Sequence, residues 1–252
     1  MVDIHSHILP GLDDGAESLE EALVMARLAV SSGIRHMAAT SHGNYYDYTL
    51  EEYRESLEKL QEELAKEAIP LKLYPGMEVF LDDDAASMVQ RKELLSLNHT
   101  DYLLVEFPFE ESEGNVLRRI RLLQEAGWRI VLAHPERYIF VQKDPELAYY
   151  LADQGCVLQI NGGSILGDFG SRCQYMALQL MNDGIAGAIA SDAHDTEHRS
   201  PDMNRLMEFL DRNFDPMEVK LWISENPSRI LKGMPVLDLI DRNTEEEKGK
   251  WK

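Results

Sequence analysis

Seven short apolar runs recur along the chain, separated by stretches with the pattern of amphipathic helices. The runs predict strands over 2–5, 34–40, 71–80, 102–105, 128–133, 156–160 and 185–190. Parallel strands need a crossover connection, usually a helix, and no long unstructured insert interrupts the alternation. The sequence therefore predicts an α/β fold in which a βα unit repeats and the strands form a parallel sheet.

Capping residues mark where the intervening helices begin. Ser18 and Thr49 each stand three residues before a glutamate, which is the pattern of a capping box. Further helices are expected over 115–126, 171–182 and 216–224, and after residues 144, 200 and 226. The glycine-rich segment 162–170 lacks the spacing of a nucleotide-binding loop, so it is interpreted as a flexible loop beside the site.

Six of the seven predicted strands end in side chains that bind metals. In an extended segment His5 and His7 point to the same face, and Asp192 and His194 repeat that spacing. In a closed βα barrel the carboxyl ends of the strands meet on one face. The nine candidate ligands are His5, His7, Asp14, His42, Glu78, Glu106, His134, Asp192 and His194. Nitrogen and oxygen ligands in this number, without a thiolate, suit two or three divalent ions if some carboxylates bridge.

Several metal ions held close together favour hydrolysis of a phosphate ester, because they activate a water molecule and neutralise the phosphoryl oxygens. Arg137 and Arg199 each follow a candidate ligand by a few residues, and a guanidinium group can clamp a phosphate through two hydrogen bonds. A surface ion pair is the alternative for both arginines. Neither Cys156 nor Cys173 begins a Cys-x5-Arg motif, so a phosphatase of this sequence would not use sulfur as its nucleophile.

Charge and hydropathy exclude several classes of partner. With 252 residues and 44% hydrophobic content the chain can bury a substantial core, predicted as a single domain over 1–240 ahead of a charged, frayed tail over 241–252. The net charge of −20 opposes binding to nucleic acid. No apolar stretch has transmembrane length, and the early charged residues leave no room for a cleaved signal peptide. A cytoplasmic protein without membrane insertion is expected.

The motifs that carry the candidate ligands resemble the PHP (polymerase and histidinol phosphatase) superfamily. The similarity is strongest to the bacterial manganese-dependent tyrosine-protein phosphatases associated with capsular polysaccharide synthesis. It rests on the segments 3–15 (DIHSHILPGLDDG), 40–42 (TSH), 76–78 (GME), 133–137 (AHPER), 191–194 (SDAH) and 198–201 (HRSP). These segments span nearly the whole chain in the order of the family.

The resemblance implies a distorted seven-stranded (β/α)7 TIM-like barrel, the PHP fold, with three divalent metal ions. Manganese is favoured, with iron, zinc, cobalt and magnesium as alternatives. By the family pattern one ion is held by His5, His7, Glu78 and Asp192, a second by Glu78, Glu106 and His134, and the third by Asp14, His42 and His194. The implied substrate is a phosphotyrosine protein, in particular a bacterial tyrosine kinase that regulates exopolysaccharide or capsule synthesis.

Other functions of the same site stay open. A small-molecule phosphatase, with histidinol phosphate as substrate, would use the same ligands, whereas an interaction module would use the metals for stability alone. The aromatic residues Tyr45, Tyr46, Tyr48, Phe107, Phe109 and Tyr138 either form a rim for an aromatic leaving group or pack on neighbouring helices. The long charged helix expected over 49–68 could face solvent or a second copy of the chain, so a homo-oligomer is also left open.

Overall fold

The structure is a computed structural model and describes residues 1–238. The strands are β1 (Val2–Asp3), β2 (His36–Ala39), β3 (Lys72–Pro75), β4 (Glu78–Phe80), β5 (Tyr102–Glu106), β6 (Arg129–Ala133), β7 (Val157–Asn161) and β8 (Ala186–Ala190). The helices are α1 (Leu19–Ser31), α2 (Leu50–Lys66), α3 (Ala85–Gln90), α4 (Glu113–Glu125), α5 (Ile139–Lys143), α6 (Glu146–Asp153), α7 (Gly162–Leu166), α8 (Ser171–Asn182), α9 (Asn204–Asn213), α10 (Pro216–Lys220) and α11 (Asn226–Ile230). Short 3-10 turns cover Leu97–His99 and Pro135–Arg137, and a π-helical turn covers Leu221–Glu225.

The strands form two sheets in which every pair runs parallel. One sheet has the order β1-β2-β3 and the other the order β4-β5-β6-β7-β8. Isolated bridges connect the sheets on both sides, between Ser6 and Ala193 and between His42 and Glu78. The predicted parallel α/β fold is therefore confirmed, but it contains eight strands in two sheets, whereas the sequence predicted seven.

The extra strand arises because the predicted strand 71–80 is interrupted after Pro75. Proline has no amide hydrogen to donate to a ladder. The next amide, that of Gly76, donates to the hydroxyl of Tyr53 at 3.0 Å instead of to a neighbouring strand. The chain consequently leaves the first sheet at β3 and enters the second at β4.

Two apolar clusters divide the buried side chains of the strands. The larger cluster packs the strands against the helices. The smaller cluster collects side chains from six strands and from α11, and it includes Val2, Ile4, Ala38, Leu104, Val131, Ala133, Val157, Ala188, Ala190 and Ile230. Most of the candidate ligands lie at or just beyond the carboxyl ends of strands, and Glu78 begins β4.

The helices largely begin where their caps predicted. Ser18 accepts the amide hydrogen of Glu21 at 3.2 Å, and Thr49 and Glu52 form the reciprocal bonds of a capping box. The prediction of a flexible loop over 162–170 is wrong, because the segment begins with helix α7. A Cβ on Gly162 would lie only 2.9 Å from Leu206, so this glycine allows close packing of the helix. The helix expected after residue 200 begins at Asn204.

No helix within residues 1–238 is both long and apolar enough to cross a membrane. The predicted tail over 241–252 and the domain boundary at 240 lie outside the described residues. The domain assignment therefore stays a prediction.

Candidate metal centre

The nine predicted ligands lie together, most of them at or just beyond the carboxyl ends of the strands, whereas Glu78 is the first residue of β4. Their nitrogen and oxygen atoms form four groups within which all atoms lie less than 4.8 Å apart. The groups are His7 with Asp14, His42 and His194; His5 with His134 and Asp192; His5 and His7 with Glu78; and His42 with Glu78 and Glu106. Glu78 belongs to two of them, as do His5, His7 and His42, but only the carboxylate has two oxygens with which to bridge two ions. Which ligand holds which ion stays a prediction.

The centre of the cluster is a triangle of three atoms that could each coordinate a metal ion. Nε2 of His5 lies 3.3 Å from Nε2 of His7, and Oε2 of Glu78 lies 3.1 Å and 3.2 Å from the two nitrogens. Two ligands at about 2.0–2.2 Å from one ion are about 3.0–3.5 Å apart at tetrahedral or octahedral angles. The triangle therefore has the dimensions of one face of a coordination shell.

Each central imidazole is oriented by a hydrogen bond on its far nitrogen. Nδ1 of His5 donates to Oε1 of Gln159 at 2.8 Å, and Nδ1 of His7 donates to Oδ2 of Asp13 at 2.7 Å. Such bonds fix the tautomer and ring orientation of metal-binding histidines. With both Nδ1 atoms donating, two Nε2 atoms and a carboxylate oxygen face one another, and a bound cation would stabilise that arrangement.

The two oxygens of Asp192 have opposite surroundings. Oδ2 accepts hydrogen bonds from Asn161 at 2.6 Å, from Arg199 at 2.6 Å and from Arg137 at 3.1 Å. Oδ1 is buried, lies 3.3 Å from Nε2 of His5 and has no hydrogen-bond donor within residues 1–238. A buried carboxylate oxygen without a partner is costly. Its position among the imidazoles fits a metal ligand, so the residues present suit the implied metal centre.

Two ligands occupy backbone conformations that are rare outside glycine. His134, directly after β6, has φ 36°, and Asp192, two residues after β8, has φ 52°. A left-handed backbone conformation costs free energy in any residue except glycine, and it often marks a functional site. Here they turn the chain sharply at the strand ends. Nε2 of His134 consequently lies 3.0 Å from Oε1 of Glu78.

The protonation of the imidazoles differs across the cluster. Burial opposes a charge on His7, but hydrogen bonds and charge attraction to Asp13 and Glu78 together outweigh it and raise the pKa of His7 to about 9. Burial likewise acts against His42, yet Asp14 and other carboxylates raise its pKa to about 11. Burial, assisted by the charge of His7, lowers the pKa of His194 to about 3. In the absence of metal, protons on His7 and His42 thus balance part of the negative charge.

Both predicted phosphate-binding arginines lie beside the cluster. Both form ion pairs with the buried Asp192 and line the same cavity as the ligands, and their role in phosphate binding stays a prediction. The ring of Phe169 lies beneath both, 4.5 Å from the guanidinium carbon of Arg137 and 5.9 Å from that of Arg199. Stacking on an aromatic face restrains a guanidinium group.

An open cavity of about 350 Å³ stands above the cluster, and aromatic side chains form much of its wall. They are Tyr45, Tyr46, Phe80, Phe107 and Phe109. Tyr45 is 64% exposed. The structure does not place Tyr48 and Tyr138 on this wall: the hydroxyl of Tyr48 donates to the carbonyl of His42 at 2.6 Å, and Tyr138 is fully buried. The prediction that Tyr48 and Tyr138 belong to the aromatic rim is therefore corrected.

Sequence reasoning missed several residues that support the ligands. Gln159 and Asn161 lie in β7, the strand to which no ligand was assigned, and Asp13 was recognised only as part of a motif. Two polar residues at i and i+2 in an otherwise apolar strand repeat the spacing of His5 and His7, so this pattern could have identified them. Phe169 is far from the ligands in sequence and offered no comparable pattern.

The fold and the cluster place the protein in a recognisable class, the TIM-like α/β proteins with histidines and carboxylates at the carboxyl ends of parallel strands. A phosphotriesterase homology protein from Escherichia coli shares the fold alone, at 12% identity and a TM-score of 0.59, with 90% of this chain and 98% of that chain covered.

Residues 1–232 match the family model "Capsular polysaccharide synthesis, CpsB/CapC", and the chain belongs to the CpsB/CapC family. The chain is 36% identical over 238 residues to the tyrosine-protein phosphatase YwqE of Bacillus subtilis, covering 94% of this chain and 93% of YwqE. It is 31% identical to a putative tyrosine-protein phosphatase CapC of Staphylococcus aureus, covering 94% and 91%.

A crystal structure from work on YwqE of Bacillus subtilis and CpsB of Streptococcus pneumoniae, described as metal-dependent tyrosine phosphatases, has a TM-score of 0.88. It is 35% identical to this chain and covers 94% of this chain and 97% of that one. The resemblance inferred from the sequence motifs is thereby confirmed.

Proposed function

We propose that this protein is a metal-dependent phosphatase that hydrolyses phosphotyrosine without a cysteine nucleophile. The observation that carries the proposal is the convergence of nine nitrogen and oxygen ligands beneath a cavity that also holds two arginines. The activities named for the relatives support it. We infer three divalent ions, with manganese favoured, because the ligand set is too large for one ion and contains several carboxylates. Bound ions would supply an activated water and positive charge for the phosphoryl oxygens.

The protein's own residues would bind and orient the phosphate. Arg137 and Arg199 both point at Oδ2 of Asp192 and leave further guanidinium donors for phosphoryl oxygens. Asp192 thus connects the metal ligands to the groups that would hold the substrate.

The cavity wall favours an aromatic leaving group. The ring of Tyr45 lies 5.3 Å from that of Phe80 and 5.5 Å from that of Tyr46, and Tyr46 stacks on His42 at 5.6 Å. Phe109 belongs to the same cavity. Aromatic faces at these positions would contact the phenyl ring of phosphotyrosine and would have little to offer the side chain of phosphoserine.

The test is phosphate release by manganese-loaded protein from a phosphotyrosine peptide, a phosphoserine peptide and histidinol phosphate. The proposal predicts a strong preference for phosphotyrosine. A preference for histidinol phosphate would instead identify the protein as a small-molecule phosphatase. Tyr45→Ala should raise KM for the phosphotyrosine peptide. Tyr150→Ala is the matched control, because Tyr150 is also half-exposed but does not line the cavity.

We also infer that the two sheets close into one ring of seven strand positions, in which β3 and β4 share a position. In support, the amide of His7 donates to the carbonyl of Ala193 at 2.8 Å, and the amide of Gly43 donates to that of Glu78 at 2.8 Å. The family's link to capsule synthesis supports a bacterial tyrosine kinase as the substrate protein. Dephosphorylation of such a kinase by the purified protein would test that partner.

A further inference from the structure

Two side-chain amides lie where the fold otherwise places apolar groups. Gln159 and Asn161 share a face of β7 with Val157, which belongs to the smaller apolar cluster. Both are fully buried, with no exposed surface. Burying an amide without hydrogen-bond partners is costly. Their presence is therefore explained by the bonds they make.

These amides form a continuous chain of hydrogen bonds between two candidate ligands. Nδ1 of His5 donates to Oε1 of Gln159 at 2.8 Å, and Nε2 of Gln159 donates to Oδ1 of Asn161 at 2.8 Å. Nδ2 of Asn161 then donates to Oδ2 of Asp192 at 2.6 Å. The backbone amide of Asn161 donates to Oε1 of the buried Glu136 at 3.0 Å, which fixes the end of the strand.

The chain has a direction, because each amide accepts at its oxygen and donates at its nitrogen. Reversing Asn161 would place its oxygen against Oδ2 of Asp192, and reversing Gln159 would place its nitrogen against the donor on His5. Each amide therefore fixes the orientation of the other. Together they leave Nε2 of His5 and Oδ1 of Asp192 facing the cluster, 3.3 Å apart.

We propose that Gln159 and Asn161 are positioning residues that preorganise His5 and Asp192 for metal binding and couple the arginines at Asp192 to the metal centre. They touch neither substrate nor metal in this scheme and act through the ligands. The proposal rests on the metal centre of the proposed function, but its test reads metal affinity. If the variants below change Mn²⁺ affinity as expected but the protein hydrolyses no phosphate ester, only the proposed function is refuted.

The test compares Asn161→Asp with Asn161→Ala in the full-length chain, by the dissociation constant for Mn²⁺ in competition with a chelator. Asn161→Asp keeps the shape but faces Asp192 with a second carboxylate, so it should lose about 10–100-fold in affinity and more than Asn161→Ala. A packing role predicts the reverse order, since only alanine leaves a cavity. That reverse order, or wild-type affinity of Asn161→Asp, would overturn the proposal.

Asn226→Asp is the matched control. Asn226 is equally buried, but its Nδ2 donates to the carbonyls of Gly187 at 2.8 Å and Leu237 at 3.0 Å, and neither residue is a candidate ligand or part of the hydrogen-bond chain. Its replacement should lower the thermal midpoint and leave Mn²⁺ affinity unchanged. An equal loss of Mn²⁺ affinity in Asn226→Asp would attribute the effect to general destabilisation and overturn the proposal.

If Asn161→Asp does not fold, Gln159→Met decides the question, because methionine fills a similar volume without either hydrogen bond. We expect Mn²⁺ affinity to fall about 10-fold or more. Gln159→Glu should recover part of it, since a carboxylate oxygen still accepts from Nδ1 of His5. Wild-type affinity in Gln159→Met, or no recovery in a folded Gln159→Glu, would count against the positioning role.

Discussion

Replacing Gly15 by alanine should disable the metal centre without removing any ligand. A Cβ at this position would lie 2.1 Å from the carbonyl oxygen of His7 and 2.5 Å from its Cβ. Restoring contact distances of about 3.5 Å requires the two backbone segments to separate by about 1 Å or more. The carbonyl of His7 also accepts the amide hydrogen of Ala16 at 3.1 Å, so the separation would break this bond and displace the ligand.

The magnitude follows from the size of that shift. Overpacking a tight site costs about 1–3 kcal/mol of stability, and a misplacement of about 1 Å can cost about 100-fold in rate. Gly114→Ala is the matched control, because a Cβ there meets nothing within 4 Å and lies in helix α4. It should stabilise the protein by about 0.5–1 kcal/mol.

Three measurements on each glycine variant separate the outcomes: thermal unfolding, the dissociation constant for Mn²⁺, and turnover of a phosphotyrosine peptide. Gly15→Ala should lose affinity and turnover, and Gly114→Ala should keep both. Wild-type Mn²⁺ affinity and turnover in Gly15→Ala would refute the reasoning, since His7 would then tolerate the displacement.

Three further predictions concern the arginines and the imidazoles. Arg137→Ala should weaken binding of inorganic phosphate about 10-fold and lower turnover while retaining manganese, because other donors still hold Asp192. Phe169→Leu should raise KM for the phosphotyrosine peptide about 2–30-fold, which is equivalent to losing about 0.5–2 kcal/mol of cation–π stacking. Phe169→Tyr keeps an aromatic face, so its KM should stay near that of the wild type. Binding of Mn²⁺ near pH 7 should release protons from His7 and His42, whose pKa values are raised to about 9 and about 11, so apparent affinity should increase with pH.

Each of these predictions has a result that contradicts it. Loss of manganese in Arg137→Ala would assign that arginine to the metal centre and not to phosphate, and Arg121→Ala, an exposed change on α4, is the control. Equal KM values for leucine and tyrosine at position 169 would exclude stacking. Calorimetry in two buffers with different ionisation enthalpies measures proton release, and identical heats would show that the imidazoles are already neutral.

The convergence of the candidate ligands could be predicted from the sequence because two simple geometric rules act together. Parallel strands end on one face, and residues two apart in a strand share a side, so His5 and His7 and the later ligands had to converge. The interruption of the strand after Pro75 was harder to predict from the sequence. It depends on whether the amide of Gly76 donates to a neighbouring strand or, as here, to the hydroxyl of Tyr53.

Other features depend on contacts between distant parts of the chain. Helix α7 forms despite two glycines, and Gly162 lies so close to Leu206 that a Cβ would not fit, a contact that no local propensity indicates. Tyr48 and Tyr138 were grouped with the rim residues by proximity in sequence, yet their side chains turn into the protein. The direction of an aromatic side chain in an irregular segment is set by the cavity available to it, and that cavity exists only in the folded chain.

The most direct test of the central claim is turnover of a phosphotyrosine peptide as a function of Mn²⁺ returned to fully metal-stripped protein. The arrangement of His5, His7 and Glu78, with the unpartnered oxygen of Asp192, predicts no turnover without metal and a rise that saturates as the cluster fills. Phosphotyrosine hydrolysis that persists unchanged in the stripped protein would contradict the assignment of this cluster as the catalytic metal centre.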